Sequence, residues 1–352
     1  MATWRGHWFH PLQEPSMTTD RSSADTRPTV LILGANGRLG TAAARAFAAA
    51  GWRVLAQVRR NAGADLAAVA MPLAVALEDT ATLAAAAHDA RVVLHAVSPV
   101  YTRWEAEAMP ALHAGLALAE QLGAHFMFPG NVYNFGASMP ARLTEDTPQR
   151  PSTRKGEIRV DMERTIAARA AGGRFTASVL RAGDFFGSGS GSWFDLAIAK
   201  SLRAGKLVYP GPLDRPHAWA YLPDLARAFV RVAQQPGHPA FACRHFEGHT
   251  LTGRQLLDGI EGAATELGIA PARGLRRGGI PWGFIRIAGL VVPGWRELAQ
   301  MAYLWTVPHA LDGRSFAVLP GGPIVATPLA DALRDALVAL EAAPRERAVP
   351  AL

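Results

Sequence analysis

Residues 29–40 read TVLILGANGRLG, in which an apolar run rich in β-branched residues leads directly into Gly34, Gly37 and Gly40. The run predicts a β-strand and the alanine-rich stretch from Leu39 to Ala50 predicts a helix, so the glycines lie in the turn between them. Glycine there permits a tight turn, a close backbone approach to phosphate, and close packing of helix on sheet. A diphosphate would rest on the free N–H groups at the helix N-terminus, where the helix dipole favours negative charge. The stretch therefore predicts a dinucleotide-binding turn, with cofactor contacts from Gly34, Asn36, Gly37, Arg38, Leu39 and Gly40.

Basic residues follow the second predicted strand, Arg53 to Val58. An acidic residue at the end of this strand would bind the adenosine ribose and repel a 2′-phosphate, but Arg59 and Arg60 come next instead. Arginine offers planar, charged donors that suit phosphate, and Arg38 could join the pair. NADP(H) is therefore expected in preference to NAD(H), although two arginines at a strand end also suit a solvated loop.

Short strands and helices alternate along the first two thirds of the chain, which is typical of an α/β protein. The pattern predicts a Rossmann-type, doubly wound parallel sheet with right-handed crossovers and a smaller C-terminal substrate-binding region. The expected division is a disordered N-terminal extension over 1–28, a dinucleotide-binding domain over 29–185, and a region over 186–345 that mostly binds substrate and partly returns to the Rossmann core. Ligands are expected at the carboxyl ends of the strands.

The composition fits a globular protein: 49% of the 352 residues are hydrophobic and 18% are charged. Cys243 is the single cysteine, which excludes an internal disulfide and fits a cytoplasmic location. The net charge of +7 comes from arginines spread along the chain, so we expect no nucleic-acid partner. The eleven histidines show no metal-ligand spacing, and we expect no metal. The expected partner is a small-molecule substrate, and the formation of a homodimer is left as an open possibility.

The most apolar stretch, Ile280 to Trp295, is interrupted by Arg286, Gly289 and Pro293 and is too short to span a membrane. We expect no stable membrane insertion. A buried or substrate-covering helix is the main interpretation, and a contact with the membrane surface is the alternative.

These residues, together with the segments TPQRPSTRKGEIR and LRAGDFFG, resemble the extended or atypical short-chain dehydrogenase/reductase superfamily, over about Val30 to Ala233. The resemblance covers both the NAD-dependent epimerase/dehydratase-like and the NmrA-like branches. It implies that the segment after the fourth strand lines the nicotinamide side, and that a lysine near the start of a later helix also touches the cofactor. The cofactor contacts implied in this way are Leu77, Ala96, Val97, Ser98 and Lys155.

The proton-transfer group of the superfamily is a Tyr-x-x-x-Lys pair with a serine or threonine. Lys155 matches the lysine, but Pro151 stands where the tyrosine belongs and Asn131 stands at the serine position. Three interpretations remain open. Lys155 is the general acid or base itself, Tyr133 replaces the tyrosine while Asn131 holds the substrate oxygen, or Lys155 only binds the nicotinamide ribose and no redox step occurs.

Other residues have simpler interpretations. Arg159 and Glu163 follow Lys155 at helical spacing and are expected to form a surface ion pair. His95, in the fourth strand, is expected to be a wall residue near the cofactor. Rings in loops after the strands predict an apolar or ring-bearing substrate: Tyr101, Trp104, Trp193, His217, Trp219 and Tyr221.

The function expected from these features is an NADP(H)-dependent oxidoreductase that acts on a small-molecule carbonyl, alcohol or activated double bond. The alternatives are a sugar-nucleotide epimerase or dehydratase of the same fold, and a non-catalytic regulator that senses NADP.

Overall fold

The computed structural model describes residues 1–2 and 26–342. The first half of this chain alternates strands with helices. The bounds are β1 (Thr29–Leu33), α1 (Arg38–Ala49), β2 (Arg53–Val58), α2 (Ala64–Ala67), β3 (Met71–Ala74), α3 (Thr80–Ala86), β4 (Ala90–His95), α4 (Trp104–Leu122), β5 (His125–Gly130), β6 (Arg142–Leu143), α5 (Arg154–Ala170) and β7 (Ala177–Arg181).

The second half contains shorter strands and less regular connections. The bounds are β8 (Asp184–Phe186), β9 (Lys206–Tyr209), β10 (Pro216–Tyr221), α6 (Leu222–Ala233), β11 (Phe241–His245), β12 (His249–Thr252), α7 (Gly253–Glu266), β13 (Arg276–Gly279), α8 (Trp282–Ala288), α9 (Pro293–Gln300), β14 (Ala310–Leu311), α10 (Arg314–Ala317) and α11 (Leu329–Ala342).

Seven strands form one parallel sheet in the order β11-β7-β5-β4-β1-β2-β3. The chain runs outward from β1 through β2 to β3, then returns to place β4 on the other side of β1. This reversal creates a crevice at the carboxyl ends of β1 and β4, which is where open α/β sheets bind ligands. The Rossmann-type, doubly wound fold expected from the sequence is confirmed.

Helices cover both faces of the sheet. Phe47 of α1 and Phe229 of α6 are buried in the core on one face. On the other face, Leu112 of α4 and Ile166 of α5 are fully buried against the strands. The inner strands of the sheet are therefore covered on both sides, which explains the continuous apolar runs of β1 and β4.

A second lobe follows β7. It begins with β8, which is separated from β7 only by Ala182 and Gly183. Strands β12, β10 and β8 form a three-stranded sheet, while α7 packs against α11. Its core contains the fully enclosed Trp219 and Trp305. Because β8 continues from the carboxyl end of β7, this lobe stands beside the crevice.

The expected domain bounds stay a prediction. Most of the proposed extension over 1–28 lies outside the described residues. The apolar stretch Ile280 to Trp295 does not form one buried helix: it contains α8, an exposed turn and the start of α9. Within residues 26–342 we find no helix long and apolar enough to cross a membrane.

Candidate active site

The glycine turn between β1 and α1 is packed tightly on two sides. Gly34 has a φ of +69°, and a Cβ there would lie 2.9 Å from the Cα of Val97. A Cβ on Gly40 would lie 2.7 Å from the Cα of Ala35. Glycine is therefore required at these two positions by the protein itself, because any side chain would collide with backbone.

Gly37 is different, because it is exposed and its backbone caps α1 in an extended conformation. Gly37 has no side chain with which to cap the first turn of α1, and that turn holds no acidic residue. The first N–H groups of a helix have no partner within the helix. Their place beside the sheet crevice, together with the helix dipole, makes this end of α1 suitable for a diphosphate.

The loop after β2 is tied to the glycine turn by Asn36. Its Nδ2 donates to the carbonyl of Asn61 (2.9 Å), and its Oδ1 accepts from the N–H of Gly63 (3.2 Å). Arg59 and Arg60 are exposed in the same loop. Both arginines therefore lie in a loop that the side chain of Asn36 ties to the glycine turn.

Gln57 is a residue of this region that the sequence analysis missed. Its Oε1 accepts from the N–H of Gly34 (3.0 Å), and its Nε2 donates to the carbonyl of Val75 (2.7 Å). The side chain is buried between β1 and β3 and fixes the turn against the sheet. A glutamine in an otherwise apolar central strand is the signal that could have identified it.

Arg38 reaches across the crevice. Its guanidinium donates to the carbonyl of Gly187 (2.5 Å), in the loop that follows β8. Burial lowers the pKa of Arg38, and the nearby Asp195 partly offsets this effect. Asp195 also accepts hydrogen bonds from the backbone of Gly191 and Ser192, so it orders this loop. Arg38 therefore binds the loop after β8, and it does not join Arg59 and Arg60 in the loop after β2.

The segment after β4 forms the opposite wall. The N–H of Ala96 donates to the carbonyl of Leu33 (2.9 Å), and Val97 contacts the glycine turn. Ser98 follows at the same edge and is exposed. Leu77, in the loop after β3, is buried.

Lys155 lies in the first turn of α5 and is buried. The turn is capped by Thr153, whose Oγ1 accepts from the N–H of Gly156 (3.2 Å). The ammonium group of Lys155 forms an ion pair with Glu297 of α9. Glu297 was not foreseen, although it is the only acidic residue between Leu267 and Gln300. The pair places a carboxylate directly beside the expected catalytic lysine.

Asn131 and Tyr133 form a local turn near the same helix. The Oδ1 of Asn131 accepts from the N–H of Tyr133 (3.1 Å), a use of asparagine that is common in turns. The ring of Tyr133 lies near that of Trp104, with centroids 6.4 Å apart. The side-chain oxygen of Asn131 therefore supports the backbone of this turn.

The expected surface pair between Arg159 and Glu163 is wrong. Arg159 donates to the carbonyl of Pro129 (3.0 Å) and its guanidinium lies over Trp104, and burial lowers its pKa to about 10. Glu163 is buried and pairs with Arg181 at 2.6 Å. Helical spacing alone predicted the pairing. In the fold, Arg159 binds the backbone of β5 and Glu163 binds Arg181 of β7.

A second polar cluster joins β8 to β10. Of its residues the sequence analysis named only His217 and did not foresee the cluster. The Nε2 of His217 lies 2.9 Å from the Oδ2 of Asp184, and its ring stacks on Trp305 with centroids 4.5 Å apart. His309 meets the same imidazole edge-on, and burial lowers the pKa of His309 to about 3. Asp184 also raises the pKa of Tyr303, although burial is the larger cause.

His95 does not face the crevice. Its Nε2 lies 3.1 Å from the carbonyl of Ala111 in α4, and a Cβ on Gly115 would collide with its ring. Burial lowers the pKa of His95 to about 4, so the imidazole is neutral near pH 7. His95 is therefore a packing residue, and its expected place in the cofactor wall is wrong.

The aromatic residues expected around the substrate divide into two groups. Trp104 and Trp219 are buried, and Tyr221 is buried with its hydroxyl donating to Asp335. Trp193 is half-buried and packs edge-on against Trp305. The side chain of Tyr101 lies outside the described part of the structure. In residues 26–342 no three His, Cys, Asp or Glu side chains are grouped so as to hold a metal ion.

Comparison with known proteins is consistent with this arrangement. Residues 30–241 match the model of the NAD dependent epimerase/dehydratase family. The comparison with curated proteins found no match.

Several solved structures share the fold. UDP-glucose-4-epimerase from Stenotrophomonas maltophila, with bound NAD and formylated UDP-arabinopyranose, is 16% identical with a TM-score of 0.70, and the match covers 90% of this chain and 98% of that one. The enzyme WbmH of Bordetella bronchiseptica, in complex with NAD+, is also 16% identical, with a TM-score of 0.68 and coverage of 90% and 99%. MoeE5, in complex with UDP-glucuronic acid and NAD, is 17% identical, with a TM-score of 0.64 and coverage of 89% and 97%.

Proposed function

This chain belongs to the NAD dependent epimerase/dehydratase family, and we propose that it binds a nicotinamide dinucleotide in the sheet crevice and acts on a nucleotide sugar. The observation that carries the proposal is the N-terminus of α1, which follows exposed Gly37 and has no side-chain cap from that residue. When bound, the nicotinamide supplies a hydride acceptor or donor. The substrate class follows from the nucleotide sugars bound by the neighbouring structures.

Glu297 is the group we propose for proton transfer, with Lys155 as its positioning residue. The carboxylate of Glu297 accepts the proton of a substrate hydroxyl as the C–H bond of that carbon is broken, and returns it in the reverse direction. The ammonium of Lys155 holds the carboxylate in place and stabilises its charge. This assignment differs from the interpretation in which Lys155 is itself the general acid or base, because it gives that role to Glu297.

A second candidate is a net oxidoreductase that uses NADP(H) on a small-molecule carbonyl, alcohol or activated double bond. Arg59 and Arg60 favour it, because the loop after β2 offers two exposed guanidinium groups and Val58 occupies the place of a ribose-binding acid. The preference for NADP(H) over NAD(H) is part of this proposal. A cytoplasmic location and a homodimer also stay proposals.

The test begins with protein freed of nucleotide. Calorimetry with NAD+ and NADP+ measures cofactor binding, and proton NMR of UDP-glucose or UDP-glucuronic acid then detects inversion or loss of water without net cofactor reduction. Steady oxidation of NADPH across a panel of carbonyl compounds would instead support the second candidate. Tight binding without turnover on either panel, unchanged in Lys155→Ala, would support a regulator and overturn both enzymatic proposals.

A matched pair of variants distinguishes the catalytic interpretations. Lys155→Ala is expected to abolish turnover, whereas Tyr133→Phe is expected to retain it. The opposite result would assign the proton transfer to Tyr133 and Asn131.

A further inference from the structure

The turn between α8 and α9 presents a row of exposed apolar side chains. The fractional exposures are 60% for Phe284, 70% for Ile287, 77% for Leu290, 83% for Val291 and 42% for Val292. We refer to these five residues as the apolar ridge. Contiguous exposed apolar side chains of this size are unusual on a globular surface and mark a contact site.

The ridge is held in place by the hairpin beneath it. Ile285 of α8 and Leu298 of α9 are buried. Arg296 donates to the carbonyls of Gly289 and Leu290, which fixes the turn that joins the helices. The ridge therefore points outward because its own hairpin is packed on the inner side.

The charge around the ridge has one sign. Residues 267–296 contain five arginines and no aspartate or glutamate: Arg273, Arg276, Arg277, Arg286 and Arg296. Only Arg277 forms ion pairs among these residues in the described structure, with Asp258 and Glu261. Arg286, in α8 of the hairpin, and Arg276, in β13 just before it along the chain, are exposed. The hairpin and the segment that leads into it thus combine exposed apolar side chains with exposed arginines.

We propose that this hairpin docks the protein reversibly on an anionic lipid surface. Apolar side chains that enter the headgroup boundary, flanked by arginines that attract anionic lipid, are the two contributions that hold a peripheral protein on a bilayer. A second copy of the chain is a poorer occupant, because pairing two ridges would bring the exposed Arg286 of α8 of each copy together. Docking of this kind does not depend on the proposed reaction.

The experiment is cosedimentation of the full chain with vesicles of phosphatidylcholine alone or with about one third phosphatidylglycerol. We expect binding to the anionic vesicles, weakened at high salt, and little binding to the neutral ones. Ile287→Ser combined with Leu290→Ser should weaken binding by at least about tenfold. Val318→Ser combined with Val325→Ser is the matched control, since these valines are equally exposed elsewhere (81% and 80%).

Charge is tested separately with Arg276→Ser and Arg286→Ser. Each should weaken binding to anionic vesicles by roughly fivefold and leave binding to neutral vesicles unchanged. Absence of binding, or equal binding to both kinds of vesicle, would overturn the proposal. So would self-association in lipid-free buffer that the ridge variant abolishes, because a second copy would then cover this surface. Circular dichroism of each variant distinguishes lost docking from lost folding.

Discussion

Lys155 and Glu297 lie 142 positions apart in the sequence and form an ion pair at the start of α5. Their side chains differ in access to solvent, because 5% of Lys155 is exposed and 29% of Glu297. Glu297 is therefore the more accessible member of the pair, and Lys155 the more deeply buried one. This asymmetry is why we assign proton transfer to the carboxylate and positioning to the ammonium group.

Replacing Glu297 by glutamine tests that assignment. Glu297→Gln keeps the shape and a hydrogen-bonding group but cannot accept a proton, so kcat should fall by about 100-fold or more. Cofactor affinity, measured by calorimetry, should change little. Glu341→Gln is the control, since Glu341 pairs with Arg203 at an exposed site. A rise in kcat for Glu297→Gln would show that Glu297 obstructs the site, and would refute its role as a base.

The arginines after β2 should determine which dinucleotide is preferred. Removing both in Arg59→Ala with Arg60→Ala should weaken NADP+ by at least about tenfold, since each loses a charged hydrogen bond to phosphate. NAD+ affinity should change by less than about twofold, because no phosphate contact is lost. Calorimetry with both nucleotides measures the difference. Arg91→Ala, at the opposite end of the sheet, is the control, and equal losses for both nucleotides would refute the phosphate contact.

Alanine substitutions at two glycines of the turn should distinguish an effect on dinucleotide binding from an effect on the stability of the fold. Gly40→Ala places a Cβ against the backbone of Ala35, so we expect a loss of about 1–3 kcal/mol in the free energy of unfolding. Gly37→Ala points into an exposed region, with the carbonyl of Gly34 at 3.2 Å as the nearest group. We expect it to lower dinucleotide affinity with less than about 1 kcal/mol of destabilisation. Urea unfolding and calorimetry measure the two effects, and unchanged affinity in Gly37→Ala would place the diphosphate elsewhere.

His95 should contribute to acid sensitivity. Its pKa is about 4 in the folded protein, whereas the ordinary pKa of a histidine that is not buried is 6.5. Between these values the unfolded chain binds more protons, so the free energy of unfolding falls as the pH falls. In His95→Gln this slope should be smaller by up to about 1.4 kcal/mol per pH unit. Urea unfolding from pH 7 to pH 4 measures the slope, and exposed His88→Gln is the control. An unchanged slope in His95→Gln would contradict burial of a neutral imidazole.

Much of the Rossmann-type fold could be predicted from the sequence because its strands are apolar and its helices are periodic. The bounds of β2 match the sequence pattern, and α1 lies one residue earlier than the helix expected over Leu39 to Ala50. Strand β11 was missed because it lies at the sheet edge and reads FACRH, with four of its five residues only half-buried. An edge strand pairs on one side only, so its sequence lacks a continuous apolar run.

The site was less accessible to sequence reasoning. The glycine turn is a local feature, and its residues are consecutive. Glu297 and Asp184 depend on contacts between distant segments, which no spacing rule specifies. Arg159 shows the opposite error, since a local rule paired it with Glu163 while the tertiary fold brought it under Trp104.

The hydrogen bond from Arg38 to Gly187 links the first turn of α1 to the loop that Asp195 orders. For a dinucleotide held at this turn, we expect the link to open before the nucleotide is released. The rate of that opening would then set the rate of nucleotide exchange with the surrounding solution. Arg38→Ala should shorten the residence time of the bound nucleotide, so that washing removes it during purification.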